Sequence, residues 1–203
     1  MPGAKESEAA RRAQILHAAY LVAARRGLQG TTIHEVAERA GVSHGLVLFY
    51  FKSKRGLLLR VLDWLLATTT ILHVGDDIRR LASPLDRLLA LLRQEMDRLS
   101  SEPKRIRLTF DYWTMGIRDR QIRLKMRTEF RRYRDAFFPL AADVLTRSPE
   151  SFGGVTPMGL AGVAVSFIKG CAIQAMLDPD FDAAQYLVAA ENLLQIGHGE
   201  PAT

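Results

Sequence analysis

The chain has 203 residues, a single cysteine, 48 % hydrophobic residues and a formal net charge of +6. This length can bury a sizeable core as one or two domains, and a lone Cys171 excludes an internal disulfide framework and suits a reducing cytoplasm. The opening MPGAKESEAARR is polar and has no apolar h-region, which argues against secretion.

Residues 1–7 are polar and expected to be disordered. From 8 to 26, Ile15, Ala18, Ala19, Val22 and Ala23 recur at three- and four-residue spacing, which predicts an amphipathic helix ended by Gly27. Thr32 is a good N-cap for a second helix, and Glu35, three residues on, is placed to complete a capping box. Ile33, Val36, Ala37 and Ala40 give that helix one apolar face. Gly41 can take positive φ at its end, and Ser43 can cap a third helix of about seven residues. So short a helix is unstable alone in water, so its purpose is presentation against a scaffold. It offers His44, Gly45, Leu46, Leu48, Phe49 and Tyr50, a mix suited to base edges and phosphates.

Ser53 caps a longer helix predicted over 54–72, carrying Leu57, Leu58, Val61, Leu62 and Leu65. An amphipathic helix over 84–101 follows, with Leu85, Leu88, Leu89, Leu92, Met96 and Leu99, and another runs from Pro103 to near Gly116. A third, over 119–146, contains Pro139, which is expected to kink or break it. A Gly-, Ser- and Pro-rich loop at 148–157 separates off two final helices, over 158–177 and 183–196, with Asp178-Pro179 as the stop between them. Alternation typical of β-strands, repeats and low-complexity tracts are not seen. The expected fold is all-α, with about nine helices: a DNA-binding head over 1–60 and a helical domain over 61–203.

The helix over 158–177 is apolar for 20 residues, long enough by itself for a membrane span. Lys169 and Gln174 in its middle, and flanks without positive charge, argue against one. A helix apolar nearly all round is buried on several sides, and Gly159, Gly162, Ser166 and Gly170 allow another helix to approach closely.

Charge is unevenly spread. Residues 1–60 hold ten Lys or Arg against four Glu, and residues 61–203 hold eighteen of each sign. The basic excess therefore coincides with the helix-turn-helix, as a polyanionic partner requires.

With TT before the second helix, the AERAGVS turn, the FYF run and SK–GLL opening the next helix, residues 10–62 closely resemble the DNA-binding domain of the TetR family of bacterial transcriptional regulators. The rest resembles the family in its all-helical layout. The resemblance implies DNA contacts from Thr32, His34, His44, Gly45, Leu46, Phe49, Tyr50 and Lys54, with Ser43 and Leu48 in the same set. Leu48 stands where the family usually carries a phosphate-binding tyrosine. Either Tyr50 and Lys54 anchor the backbone without it, or Leu48 makes an apolar contact, for example to a thymine methyl. The resemblance further implies a homodimer formed through the last two helices and a small-molecule effector held among the central ones. No cofactor is implied.

Candidate effector-site residues come from the aromatic stretch 106–137 and the helices around it. They are Trp64, Met96, Phe110, Trp113, Tyr133 and Phe167, with Asp111 paired to Arg134 or Arg107, or to a cationic or hydroxylated ligand. The basic run RDRQIRLKMRTEFRRYR, residues 118–134, reads as a solvated face, with attraction of an anionic effector as the functional alternative.

Catalytic patterns are not found: Cys171 has no neighbouring His in sequence, and histidines 17, 34, 44, 73 and 198 lack zinc-ligand spacing. Gly153-Gly154 has no following Lys and no preceding strand, as a phosphate loop needs. The expected function is a cytoplasmic, homodimeric, ligand-responsive regulator, a repressor on a palindromic operator. The alternatives are a non-specific DNA-binding protein, or a ligand-binding helical protein whose DNA head has degenerated.

Overall fold

A computed structural model describes residues 7–68, 74–150 and 152–196, and among these the secondary structure is ten α-helices without a strand. The readings for residues 1–6, for the end of the fourth helix near Leu72, and for His73 and His198 fall outside the described residues. The ten helices are α1 (Glu8–Gly30), α2 (Ile33–Ala40), α3 (His44–Phe51), α4 (Lys54–Thr68), α5 (Asp76–Arg79), α6 (Pro84–Ser101), α7 (Pro103–Gly116), α8 (Arg120–Arg147), α9 (Pro157–Leu177) and α10 (Ala183–Ile196). They form two compact units, one of residues 1–69 with 104–126 and one of residues 70–103 with 127–203. The first unit thus takes in chain beyond residue 60, namely α4, α7 and the opening turns of α8.

In the first unit the expected apolar faces meet. Ile15, Ala18, Ala19, Val22 and Ala23 of α1 pack with Val36, Ala37 and Ala40 of α2, Val47 of α3 and five residues of α4, all buried. Each large side chain so buried contributes about 1.5–3 kcal/mol. Gly27, at φ 73°, breaks the helical path of α1 where the sequence places its end. Leu108 and Tyr112 of α7 and Ile122 and Met126 of α8 complete the same core. Tyr112 is fully buried, and its hydroxyl donates 2.7 Å to the Leu58 carbonyl, so the one polar atom of that ring is satisfied.

The second unit is built on α6, α8, α9 and α10. Ser83 caps α6, its oxygen accepting from Asp86 N–H at 3.3 Å, with Pro84 on the first turn. Leu85, Leu88, Leu89, Leu92 and Met96 of α6 pack against Tyr133, Phe137, Ala141 and Val144 of α8 and Leu160, Ala161, Val165 and Ile168 of α9. The sequence misses α5, whose four residues are too few to show a period. Of the two outcomes expected at Pro139, a kink or a break, the break does not occur, since α8 runs through it as one helix. Pro139 and Asp135, whose carbonyl loses its helical partner, are both exposed, so water can take the missing donor's place. α9 is long and apolar enough to cross a membrane by length and composition, yet seven of its residues are buried inside this unit.

Candidate nucleic-acid interface and effector unit

Local capping builds the presenting helix. Thr32 Oγ1 accepts from Glu35 N–H at 3.1 Å and starts α2. The reciprocal half of the expected capping box does not form. Glu35 reaches back to the Thr32 hydroxyl instead, which donates to its Oε2 at 3.4 Å, while Oε1 takes Arg26 Nε at 3.1 Å and Arg25 at 3.6 Å. Gly41 ends α2 at φ 63°, ψ 35°, its N–H reaching the carbonyls of Ala37 and Glu38, and Val42 N–H bonds Ala37 at 3.0 Å. That left-handed corner suits glycine and turns the chain sharply. Ser43 Oγ then caps α3 by accepting from Leu46 N–H at 3.2 Å, so Ser43 is engaged in building the helix it precedes.

Only Val47 of α3 is buried; His44, Gly45 and Phe49 are exposed, Phe49 at 65 %, while Leu46, Leu48 and Tyr50 are half-buried. Tyr50 and Phe51 also lean on the core, so among the large apolar side chains of α3 only Phe49 has no packing reason to be where it is. His34 is exposed on α2. The guanidinium of Arg12 lies 5.2 Å from the centre of the Tyr50 ring, holding the ring by a cation–π contact. Lys54 Nζ donates 2.8 Å to the Gln29 carbonyl, which ties the start of α4 to the end of α1.

The α3–α4 corner contains a feature sequence reasoning overlooked. Lys52 sits at φ 67°, unusual for a residue with a side chain, and its ammonium lies 5.2 Å from the Phe49 ring centre. Gly56 makes this corner possible, because a Cβ there would lie 2.2 Å from the Phe51 carbonyl oxygen. The glycine of SK–GLL is the sequence signal for this corner.

Around this face the first unit is strongly basic, with seventeen Lys or Arg against seven Asp or Glu; the second carries eleven against fifteen. The charge asymmetry is thus larger between the compact units than between sequence segments. Arg55 Nη2 pairs with Asp119 at 2.8 Å and its Nη1 bonds Gln121 at 3.1 Å, and that guanidinium holds the Asp119 carboxyl below the usual carboxylate range. Asp119 in turn caps α8 through Gln121 and Ile122 N–H. These residues, with Arg118, Arg120 and Leu124, line a shallow depression of about 560 Å³.

The expected effector-site residues fall in both units. Trp64, Arg107, Phe110, Asp111 and Trp113 belong to the first. Trp64 packs its ring on Tyr20, centroids 4.8 Å apart, and Phe110 meets Trp113 edge-on at 4.3 Å. The expected ion pair of Asp111 with Arg107 or Arg134 does not form among the described residues. Asp111 is only half-buried and so does not need a buried cation; its Oδ2 faces Gly27, and Arg134 belongs to the other unit.

Met96, Tyr133, Arg134 and Phe167 belong to the second unit, where Met96 and Tyr133 are core residues. Here the structure brings together charges that the sequence reading passed over. Glu95 of α6 is 1 % exposed and Glu129 of α8 6 % exposed. Arg98 Nη2 bonds Glu95 at 2.8 Å and donates 2.5 Å to the Tyr133 hydroxyl. Lys169 Nζ of α9 lies 4.1 Å above the Tyr133 ring centre. Burial pushes Lys169 down to about 8 against the pull of the Glu95 charge, and pushes Tyr133 up to about 12 against that of Arg98. Glu95 is raised, again chiefly by burial. One signal was available: Glu95 lies three residues after Leu92, on the apolar stripe of α6.

Comparison with known proteins agrees with this architecture. Residues 15–61 match the family described as bacterial regulatory proteins, tetR family, and residues 84–196 match the C-terminal part of the BetI-type transcriptional repressors. An HTH-type transcriptional regulator BetI from Cronobacter sakazakii is 30 % identical, covering 82 % of this chain and 80 % of that protein. Its counterpart from Paraburkholderia phymatum is 27 % identical over 92 % of each. Among solved structures, a transcriptional regulator from Saccharomonospora viridis in complex with choline superposes with a TM-score of 0.73 at 22 % identity, covering 93 % of this chain and 96 % of that one. The regulator FadR from Bacillus subtilis in complex with stearoyl-CoA gives 0.69 at 20 % identity, covering 91 % and 98 %. The chain belongs to the TetR family of bacterial helix-turn-helix transcriptional regulators, with a C-terminal half of the BetI type.

Proposed function

We propose that the protein is a cytoplasmic homodimeric repressor that binds a palindromic operator and is released by a small-molecule effector. The observation that carries the DNA reading is α3: capped by Ser43, pinned by Val47, and displaying His44, Gly45 and Phe49 on a basic unit. His44, Gly45 and Leu46 sit nearest the bases in this reading. Thr32, Tyr50, Lys54 and the newly recognised Lys52 set register on phosphates, while Ser43, His34, Leu48 and Phe49 border the contact. Leu48 gives the backbone no hydrogen bond, which Tyr50 is free to offer.

The dimer reading is supported by apolar side chains left outside on the last two helices: Val163 at 65 %, Leu177 at 78 %, Val188 at 55 % and Leu193 at 70 % exposure. A twofold dimer places two α3 helices about one DNA turn apart, which selects an inverted repeat. The effector reading is supported by the choline and stearoyl-CoA complexes of the same fold. An effector that binds the released arrangement more tightly than the DNA-bound one shifts the population away from DNA. The relatives carry regulator names, and no catalytic step enters this mechanism.

Selection of a random-sequence duplex pool on the purified protein at near-physiological salt tests the proposal, with an enriched inverted repeat expected. Retention without enrichment would make the protein a non-specific DNA binder, with affinity falling steeply in salt. No retention even at low salt would mean that the head has lost its DNA role.

A further inference from the structure

Three helices of the second unit bring Glu95, Glu129, Tyr133 and Lys169 to one place, and that set is costly. Buried ion pairs commonly contribute no more than apolar residues of the same volume, because each ion has lost its water. Glu95 and Glu129 stand where the surrounding core is Leu, Phe and Val. An aromatic face flanked by buried carboxylates is the set of groups that recognises an organic ammonium ion, by ring quadrupole and by charge. Here such an ion is already present. The Lys169 ammonium sits 4.1 Å over the ring of Tyr133, and Arg98 fixes both that ring's hydroxyl and Glu95 in position. The lysine arrives from α9, a helix whose other buried residues are Leu160, Ala161, Ala164, Val165, Ile168, Cys171 and Ala172.

We propose that Glu95, Glu129 and the Tyr133 ring form a recognition site for an organic ammonium group, filled from within the chain by Lys169. The residue at 169 then decides whether this unit accepts a cationic effector. The wild-type chain excludes quaternary ammonium compounds from this site, and a chain lacking the lysine side chain admits them. The link to regulation rests on the effector reading above; the site itself is tested without DNA.

The test is chemical rescue. Lys169→Ala removes a side-chain end equivalent to propylammonium and leaves two buried carboxylates without it. The expected result is a lowered Tm that propylammonium chloride restores saturably, by roughly 3–5 °C at ten times its Kd. Sodium chloride of equal ionic strength and 1-propanol give no such rise. Wild type gains nothing from propylammonium or tetramethylammonium, and neither does Lys169→Met, whose neutral stem keeps the space filled. In Lys169→Ala/Tyr133→Leu the rescue is lost with the ring.

An equal response of wild type and Lys169→Ala, or no response by Lys169→Ala, would overturn the proposal. Should Lys169→Ala not accumulate folded, refolding with and without propylammonium replaces the melting curve. Recovery of helix only with the amine supports the site, and equal recovery or none overturns it. Because these readouts contain no DNA, failure of the ammonium site and failure of the repressor reading are told apart by the duplex selection.

Discussion

The two compact units place their charge differently, while both leave apolar side chains outside, Phe49 and Ile117 in the first and Val163 and Leu177 in the second. In the unit of residues 1–69 and 104–126, cations outnumber anions and the described ones lie in solvent or at its edge, while Ile15, Val36, Val47 and Leu62 are sealed inside. In the unit of residues 70–103 and 127–203, Glu95 and Glu129 are buried, and Val163, Leu177 and Leu193 stand outside. Solvated charge costs little and is available to a polyanion. Buried charge and exposed apolar area both cost stability, and the proposed effector and dimer contacts account for that cost.

The most severe way to break the comparison is to make the second unit's outer face resemble the first's. Val163→Glu with Leu193→Glu sets like charges on both sides of a twofold contact and forces their desolvation. Association should weaken roughly 100-fold or more, while the monomer's helix content is retained because both positions are exposed. Sedimentation velocity reads the outcome. A variant that remains dimeric at micromolar concentration would place the dimer contact elsewhere.

Legibility in sequence follows the range of the signal. Thr32, Gly41 and Ser43 announce helix ends within three or four residues, and each cap bond is found there. Apolar periodicity likewise located α6, α7 and α10 to within a residue or two. Whether Pro139 breaks its helix is not legible locally, because a proline's effect depends on whether water reaches the carbonyl it orphans, which is a tertiary fact. The apolar neighbours of Asp111 in sequence call for an arginine or a ligand as its partner; neither arginine pairs with it, and the fold leaves it half in solvent. Lys169 was noted only as an argument against a membrane span, since nothing local tells a buried ammonium from a solvated one. The proposed DNA-contact set comes from likeness alone, whereas Lys52 joins it only through the positive φ of the α3–α4 corner.

The next effect in size concerns the buried charge of the second unit. The folded Lys169 sits near 8, below the ordinary lysine value of 10.5. Between those values the unfolded chain holds the extra proton, so stability rises as pH increases through that window. One proton limits the slope to about 1.4 kcal/mol per pH unit. The groups facing it are Glu95, Arg98, Glu129 and Tyr133, and Tyr133 titrates higher, at about 12. Melting wild type against Lys169→Met from pH 8 to 10 should show the steeper rise in wild type. Parallel curves would mean the ammonium is solvated.

In the first unit a single buried hydrogen bond provides a smaller test. Tyr112→Phe removes the hydroxyl that donates to the Leu58 carbonyl and leaves the ring's packing intact. The expected cost is about 1 kcal/mol, or roughly 2–4 °C in Tm for a chain of this size. An unchanged Tm would show that the Leu58 carbonyl needs only its helical partner.

The smallest effect on stability carries the sharpest separation of folding from binding. Gly45 lies inside α3, and a Cβ built there meets nothing closer than Ser43 Oγ at 4.0 Å. The protein therefore has no internal need of glycine at 45, in contrast to Gly56, where a Cβ would meet the Phe51 carbonyl at 2.2 Å. Alanine inside a helix is favoured over glycine by roughly 0.5–1 kcal/mol, so Gly45→Ala should leave Tm unchanged or slightly higher. If the backbone at 45 approaches DNA as closely as proposed, the same methyl group obstructs it and operator affinity falls although the fold has gained. Measured on the selected duplex, loss of affinity beside an unreduced Tm would show that this glycine is kept for the partner. Affinity that rises with stability would show that 45 stands clear of the DNA, and would move the reading face towards His44 and Phe49.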